Sequence, residues 1–179
     1  MLIPDVCAST VAYAGKLITV QVDKLSKDGG IPFTREVAVT TDSVAVLALD
    51  QHQRVLLIKQ YRHPVKAPVW EIPAGRIDIA NEPPEQTALR ELREETDIVA
   101  KHIQPLTIFG NSVGWTTEKT HVFLAQDLEN VSEYERQHEE ADIEKKWVSL
   151  STAQGMVLDG SINDAKTIIG ILLALSAVA

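Results

Sequence analysis

Residues 83–96 constrain this chain more than any other stretch. At about 3.6 residues per turn, Ala88, Leu89 and Leu92 fall on one side of a helix, while Glu91, Glu94 and Glu95 share an arc of about 100° on another. The apolar side must face a core. Pro83 suits a first helical turn, with Asn81 or Glu82 available as its cap. Like charges four residues apart cost an isolated helix roughly 0.2–0.5 kcal/mol per pair. Three clustered carboxylates are therefore a poor choice for stability alone. A divalent cation removes the penalty, and carboxylate oxygens are the ligands that Mg²⁺ or Mn²⁺ prefers. The bland alternative is a solvated acidic face on which Arg90 and Glu94 pair.

Around this helix the pattern is mostly that of strands. Alternation over residues 16–27 predicts a strand with one buried face, and Lys27-Asp28-Gly29-Gly30 a turn after it. Residues 35–40 form a second run. The apolar runs 44–49 and 55–58 read as central strands joined as a hairpin through residues 50–53. Shorter strands are expected at 69–72, 106–109, 120–125 and 147–150, and a buried helix after Ser161 with Ala165, Ile168, Ile169, Leu172 and Leu173 at helical spacing. Strands wrapped around a few helices give an α+β or mixed α/β sandwich. Residues 1–40 read as a small antiparallel sheet of their own, and residues 41–179 as the main domain. Two strands are marginal alone in water, so that sheet needs something to pack on, and a second copy of the chain is the simplest partner.

Composition narrows the function classes. A net charge of -8 argues against nonspecific nucleic-acid binding, which depends on Lys and Arg neutralising phosphates. It also means that a phosphate substrate needs positive charge from elsewhere, most simply a metal ion. The single Cys7 excludes an internal disulfide and fits a reducing, cytoplasmic setting. Residues 1–15 lack the basic region of a signal peptide, and the apolar tail 168–179 is short of the ~18–20 residues that span a bilayer. Cys7 has no evident His/Asn partner, the five histidines show no zinc spacing, and there is no P-loop.

Gly75, Glu82 and Arg90-Glu91-Leu92-Arg93-Glu94-Glu95 resemble the Nudix box, G-x5-E-x7-R-E-U-x-E-E-x-G-U, where U is aliphatic. Two positions depart from it. Six residues separate Gly75 from Glu82, and Asp97 stands where the box has glycine, a place where Asp tolerates the left-handed backbone better than most residues. Gln60-Tyr61-Arg62-His63-Pro64, Trp70-Glu71-Ile72-Pro73-Ala74-Gly75, the run from Glu118 to Ala125 and His138-Glu139-Glu140-Ala141-Asp142 are similar to the ADP-ribose pyrophosphatase branch of that family.

The resemblance implies an α/β/α sandwich with a mixed sheet, a homodimer formed through the N-terminal sheet, and hydrolysis of ADP-ribose to AMP and ribose 5-phosphate with Mg²⁺ or Mn²⁺. It implies metal ligation by Glu91, Glu94, Glu95 and the carbonyl of Ala74, and places Arg90 as the arginine that orients the glutamates. Arg35 and Arg62 match substrate-binding arginines, Glu71 and Glu118 line the same site, and Glu139 or Glu140, the latter favoured, is the base. Each has a plainer alternative: strand-edge charges for the arginines, a loop acid for Glu118, a solvated acidic run for residues 133–144. Tyr61, Trp70 and Trp115 are candidates to stack on a base, or ordinary core residues. Where this branch commonly has a proline after the box, the chain has Val113. That keeps another nucleoside diphosphate sugar open as substrate. A non-catalytic Nudix sensor and an enzyme for oxidised nucleoside triphosphates are further alternatives, disfavoured by the intact glutamates, the long N-terminal region and the His-Glu-Glu loop.

Overall fold

A computed structural model describes residues 3–132 and 143–178. The chain divides into two compact units, Met1–Asp42 with Gly110–Lys119, and Ser43–Phe109 with Thr120–Ala179.

In the first unit β1 (Asp5–Ala14), β2 (Thr19–Ser26) and β3 (Phe33–Val39) form an antiparallel sheet in that order. The turn after β2 falls at the expected residues. Asp28 and Gly29 take positive φ, and the Gly30 amide donates to the Lys27 carbonyl at 2.9 Å. The residue pattern predicts no strand over β1. All ten of its residues are exposed, so it lacks the apolar/polar contrast from which strands are read. Segment 110–119 joins the end of β3, where Ala38 donates to Trp115 and accepts from Thr117.

The second unit carries two sheets. One is antiparallel, β10 (Glu144–Ser149), β5 (Arg54–Arg62) and β6 (Ala67–Glu71). The other is mixed, in the order β7 (Ala74–Arg76), β4 (Ser43–Ala48), β9 (Lys119–Asn130), β8 (Ile98–Gly110), with β4 parallel to β9 and antiparallel to β7. The strand β4 is apolar at every position from Val44 to Ala48 because it is covered on both faces. Val44, Val46 and Ala48 pack on Ala88 and Leu92 of α1 (Pro84–Thr96). Ala45 and Leu47 pack with Ile171 and Ala174 of α3 (Ala165–Val178) and with Ala153 of α2 (Leu150–Leu158). Helix, sheet and helix thus stack as three layers, the expected α/β/α arrangement.

The hairpin expected from the two apolar runs is corrected. Strands β4 and β5 belong to different sheets and meet at the bridge between Leu49 and Val55. A two-sided central strand pairs with β9 through a crossover that includes α1, and local chain direction cannot reveal that. The α1 cap differs too. Pro83 is the N-cap residue without a side-chain bond, and Glu82 instead accepts from the Thr87 hydroxyl at 2.7 Å.

Candidate active site

The carboxylate face of α1 lies against the short strand β7. Because Ala45 of β4 pairs with Ala74, the backbone of residues 73–75 is fixed beside the helix. The Ala74 amide donates to Glu95 Oε2 at 2.9 Å. Gly75 faces Glu91 so closely that a Cβ there would collide with the Glu91 carboxyl group. Its φ is not positive, so close approach and not backbone conformation favours glycine here, and a larger residue would push the Glu91 carboxyl aside. Gln60 Nε2 reaches Glu95 Oε1 at 3.4 Å.

Arg90 sits among four acids. Its Nη1 donates to Glu91 Oε1 at 2.8 Å and to Glu94 Oε2 at 3.0 Å, and its Nη2 pairs with Glu82 at 3.3 Å and Asp78 at 3.5 Å. Burial works against the charge of Arg90, but the Glu82, Glu91 and Glu94 carboxylates outweigh it and hold the guanidinium more firmly protonated than usual. Burial pushes Glu91 up to about 7, aided by Glu94 and Asp78 and opposed by Arg90. Burial pushes Glu95 up to about 8, aided by Glu91 and Glu71 and opposed by the Ala74 amide and Arg62. Two neighbouring buried acids that resist ionisation are the kind of pair found at functional sites.

Among the described residues no three His, Cys, Asp or Glu side chains converge in a ligand cluster. The reason is geometric: Arg90 draws Glu91 and Glu94 to itself, and Glu95 is turned to the Ala74 amide. The donor set nevertheless suits a hard divalent ion, being carboxylate and carbonyl oxygen, and Gly75, lacking a Cβ, leaves room for the Glu91 carboxyl beside it. Ala74, Glu91, Glu94 and Glu95, the expected ligands, carry oxygen atoms of the kind such an ion takes.

A second group adjoins Glu95. Arg62, at the end of β5, donates from Nε to Glu71 Oε1 at 2.7 Å and from Nη2 to Glu71 Oε2 at 2.8 Å. Glu71 is 1% exposed. Burial raises its pKa, but Arg62 and Lys166 overcome this and hold it below the usual carboxylate range. The Glu71 bond in turn raises the pKa of Arg62, against burial. Lys166, Asp164 and Thr167 were not singled out in the sequence. The available signal was Lys166 itself, the one charged residue in the helix Ala165–Val178.

Arg35 and Glu118 are described with the first unit. Arg35 faces Asp23 across β2 and β3, stacks over Phe33 at 4.8 Å and donates to the Thr34 carbonyl. The Glu118 amide donates to Thr116 Oγ1, and its carbonyl accepts from Asn111. Glu139 and Glu140 lie outside the described residues. Of the aromatic candidates, Tyr61 and Trp115 are exposed, and Trp70 is half-buried with Lys59 and Lys146 over its ring.

A model of the NUDIX domain matches residues 39–169. The chain is 36% identical over 168 residues to the ADP-ribose pyrophosphatase of Mycobacterium tuberculosis, across 94% of this chain and 81% of that protein. It is 37% identical over 155 residues to the ADP-ribose pyrophosphatase of Bacillus subtilis, across 87% and 83% respectively. A solved structure of an ADP compounds hydrolase superimposes with a TM-score of 0.85 over 98% of this chain and 94% of that one. At 21% identity the last likeness speaks for the fold alone.

Proposed function

Since the chain belongs to the Nudix family and is a Nudix pyrophosphohydrolase, we propose that it hydrolyses the diphosphate of ADP-ribose to AMP and ribose 5-phosphate, using a divalent ion. The observation that carries this reading is the seating of Glu91 against Gly75 and of Glu95 on the Ala74 amide. The relatives with ADP-ribose activity in their names span most of the chain, which favours that substrate.

In the proposed mechanism Glu91, Glu94, Glu95 and the Ala74 carbonyl would hold Mg²⁺ or Mn²⁺, which would supply the positive charge that a diphosphate needs from an otherwise acidic protein. Arg90 keeps Glu91 and Glu94 aligned. Arg62 and Arg35 bind the diphosphate, with Glu71 fixing Arg62 and Glu118 lining the site. A water oxygen attacks one phosphorus while Glu140, or its neighbour Glu139, takes the proton. The bridging P–O bond breaks, and the departing phosphate keeps the electron pair.

Val113, which stands where the branch commonly has a proline, favours a second reading in which another nucleoside diphosphate sugar is preferred. The proposed setting is a cytoplasmic homodimer acting on a small molecule. Among the described residues no helix is long and apolar enough to cross a membrane. Product chromatography with Mg²⁺ and separately Mn²⁺, over ADP-ribose and other nucleoside diphosphate sugars, tests the proposal. AMP and ribose 5-phosphate from ADP-ribose support it. Faster turnover of a different sugar nucleotide would replace the substrate, and tight binding without turnover would leave a sensor.

A further inference from the structure

Helix α3 is capped by Asp164, which accepts from the Thr167 amide, but it also begins with a lysine that its own stability does not call for. Lys166 lies in the first turn, where the helix dipole disfavours a cation, and its side chain is only 15% exposed. Burying a lysine is costly unless it is paired and hydrogen-bonded. Lys166 Nζ bonds Glu71 Oε2, the oxygen that also accepts from Arg62 Nη2, and bonds Asp164 Oδ1 at 2.9 Å. Asp164 Oδ2 accepts from the Thr167 amide at 3.0 Å and from its hydroxyl at 2.6 Å. The fully buried Thr167 hydroxyl then accepts from the Ile72 amide at 2.9 Å. Glu71 and Ile72 are thus held by consecutive residues of one helix turn, just ahead of Pro73-Ala74, where the candidate ion site begins.

We propose that Lys166 is a positioning residue for substrate binding: it fixes Glu71, and through Glu71 it sets the aim of the Arg62 guanidinium at the diphosphate. The inference rests on the diphosphate hydrolase reading. Arg62 has committed Nε and Nη2 to Glu71, so the direction of the guanidinium follows the Glu71 carboxylate. Without Lys166, Glu71 Oε2 loses one of its two cations and the carboxylate is free to rotate with Arg62.

The test is a double-mutant cycle with Lys166→Met, which keeps length and apolar bulk, and Arg62→Ala. Lys166→Met is expected to raise KM for ADP-ribose about tenfold, with kcat within about threefold of wild type. Lys166→Arg should restore most of the loss. In the Arg62→Ala background, Lys166→Met should add nothing. An unchanged KM, or an equal loss in both backgrounds, overturns the inference. If Lys166→Met fails to fold, Lys166→Gln gives the same readings. Failure of wild type to turn over any sugar nucleotide strikes the hydrolase reading instead. The cycle is then read on the calorimetric Kd of ADP-ribose, where non-additivity supports the inference and additivity, or no binding by wild type, overturns it.

Discussion

Glu95 is held in place by opposing demands. It is almost fully buried, beside Glu91 and Glu71, yet it must be ionised to bind a cation. Its folded pKa rises from the ordinary 4.5 to about 8, so between those values the folded chain holds a proton that the unfolded chain releases. Stability from this group is therefore complete below the ordinary value and is lost as pH rises through about 8. Glu91, raised to about 7, acts in the same direction. Metal-free protein should show a Tm that falls from about pH 5 to about pH 8, and saturating Mg²⁺ should flatten the fall by binding the ionised form. Scanning fluorimetry across that range, with and without Mg²⁺, checks this; a metal-free Tm with no pH slope would refute it. Glu95→Gln should reduce the slope, leave the fold intact and abolish turnover, because it removes a ligand and a like charge together. Near-wild-type rates in that variant would sink the assigned site. Gly75→Ala tests the cradle from the other side. The added methyl displaces the Glu91 carboxylate, and a shift of about 1 Å in such a group costs about 10²-fold in kcat.

At the level of elements, the stop of α1 is the instructive case. Asp97 takes φ 62° at the C-cap, the left-handed conformation that the family's usual glycine supplies freely. Its amide donates to the Arg93 carbonyl at 2.9 Å, and its carboxylate pairs with Lys145 of β10 at 2.9 Å while the same lysine reaches the Thr96 carbonyl. The carboxylate thus offsets part of the backbone cost that a glycine would avoid. Asp97→Ala loses the pair and keeps the strain, so it should destabilise by roughly 1–2 kcal/mol. Asp97→Gly loses the pair but relieves the strain and should be milder; denaturant melts that rank the two in the opposite order would overturn the account. This end of the helix was legible, because the box fixes its register residue by residue. So were β4 and β5, from unbroken apolar runs, and the carboxylate face, from spacing alone. Other elements gave little signal. The expected strand 106–109 is the end of the much longer β8, whose partly exposed residues lack clean alternation. Helix α2 begins within the strand expected at 147–150 and buries only Leu150 and Ala153. The Ser149 side chain caps it by accepting from the Thr152 amide, a cue masked by the preceding strand. The polar group on α3 was out of reach for another reason: Lys166 and Glu71 lie 95 positions apart, and only the layered packing joins them.

For the molecule as a whole, the N-terminal sheet poses a packing problem that a second copy of the chain would solve. Strand β1 is the outer strand of its sheet, has no further strand on its other edge among the described residues, and is exposed at every position. Val6, Val11 and Tyr13 are each more than half exposed, and Ile3 is exposed just ahead of them. Isolated apolar residues on a surface need no explanation, but several along one edge strand would give a second copy of the chain an apolar surface to cover. Association between identical chains must also overcome the repulsion of two copies carrying -8 each, so the contact has to be apolar rather than ionic. A closed pair also covers the same patch on both subunits at once. Sedimentation velocity at micromolar concentration should therefore show a dimer. Because added salt screens the repulsion while leaving apolar burial intact, the dimer should persist at about 0.5 M salt, where the Debye length is only a few ångström. Val11→Asp places a carboxylate in the middle of the exposed strand and should shift the population to monomer. A wild-type monomer at these concentrations, or a dimer that dissolves with salt and is indifferent to Val11→Asp, would remove β1 as the contact surface.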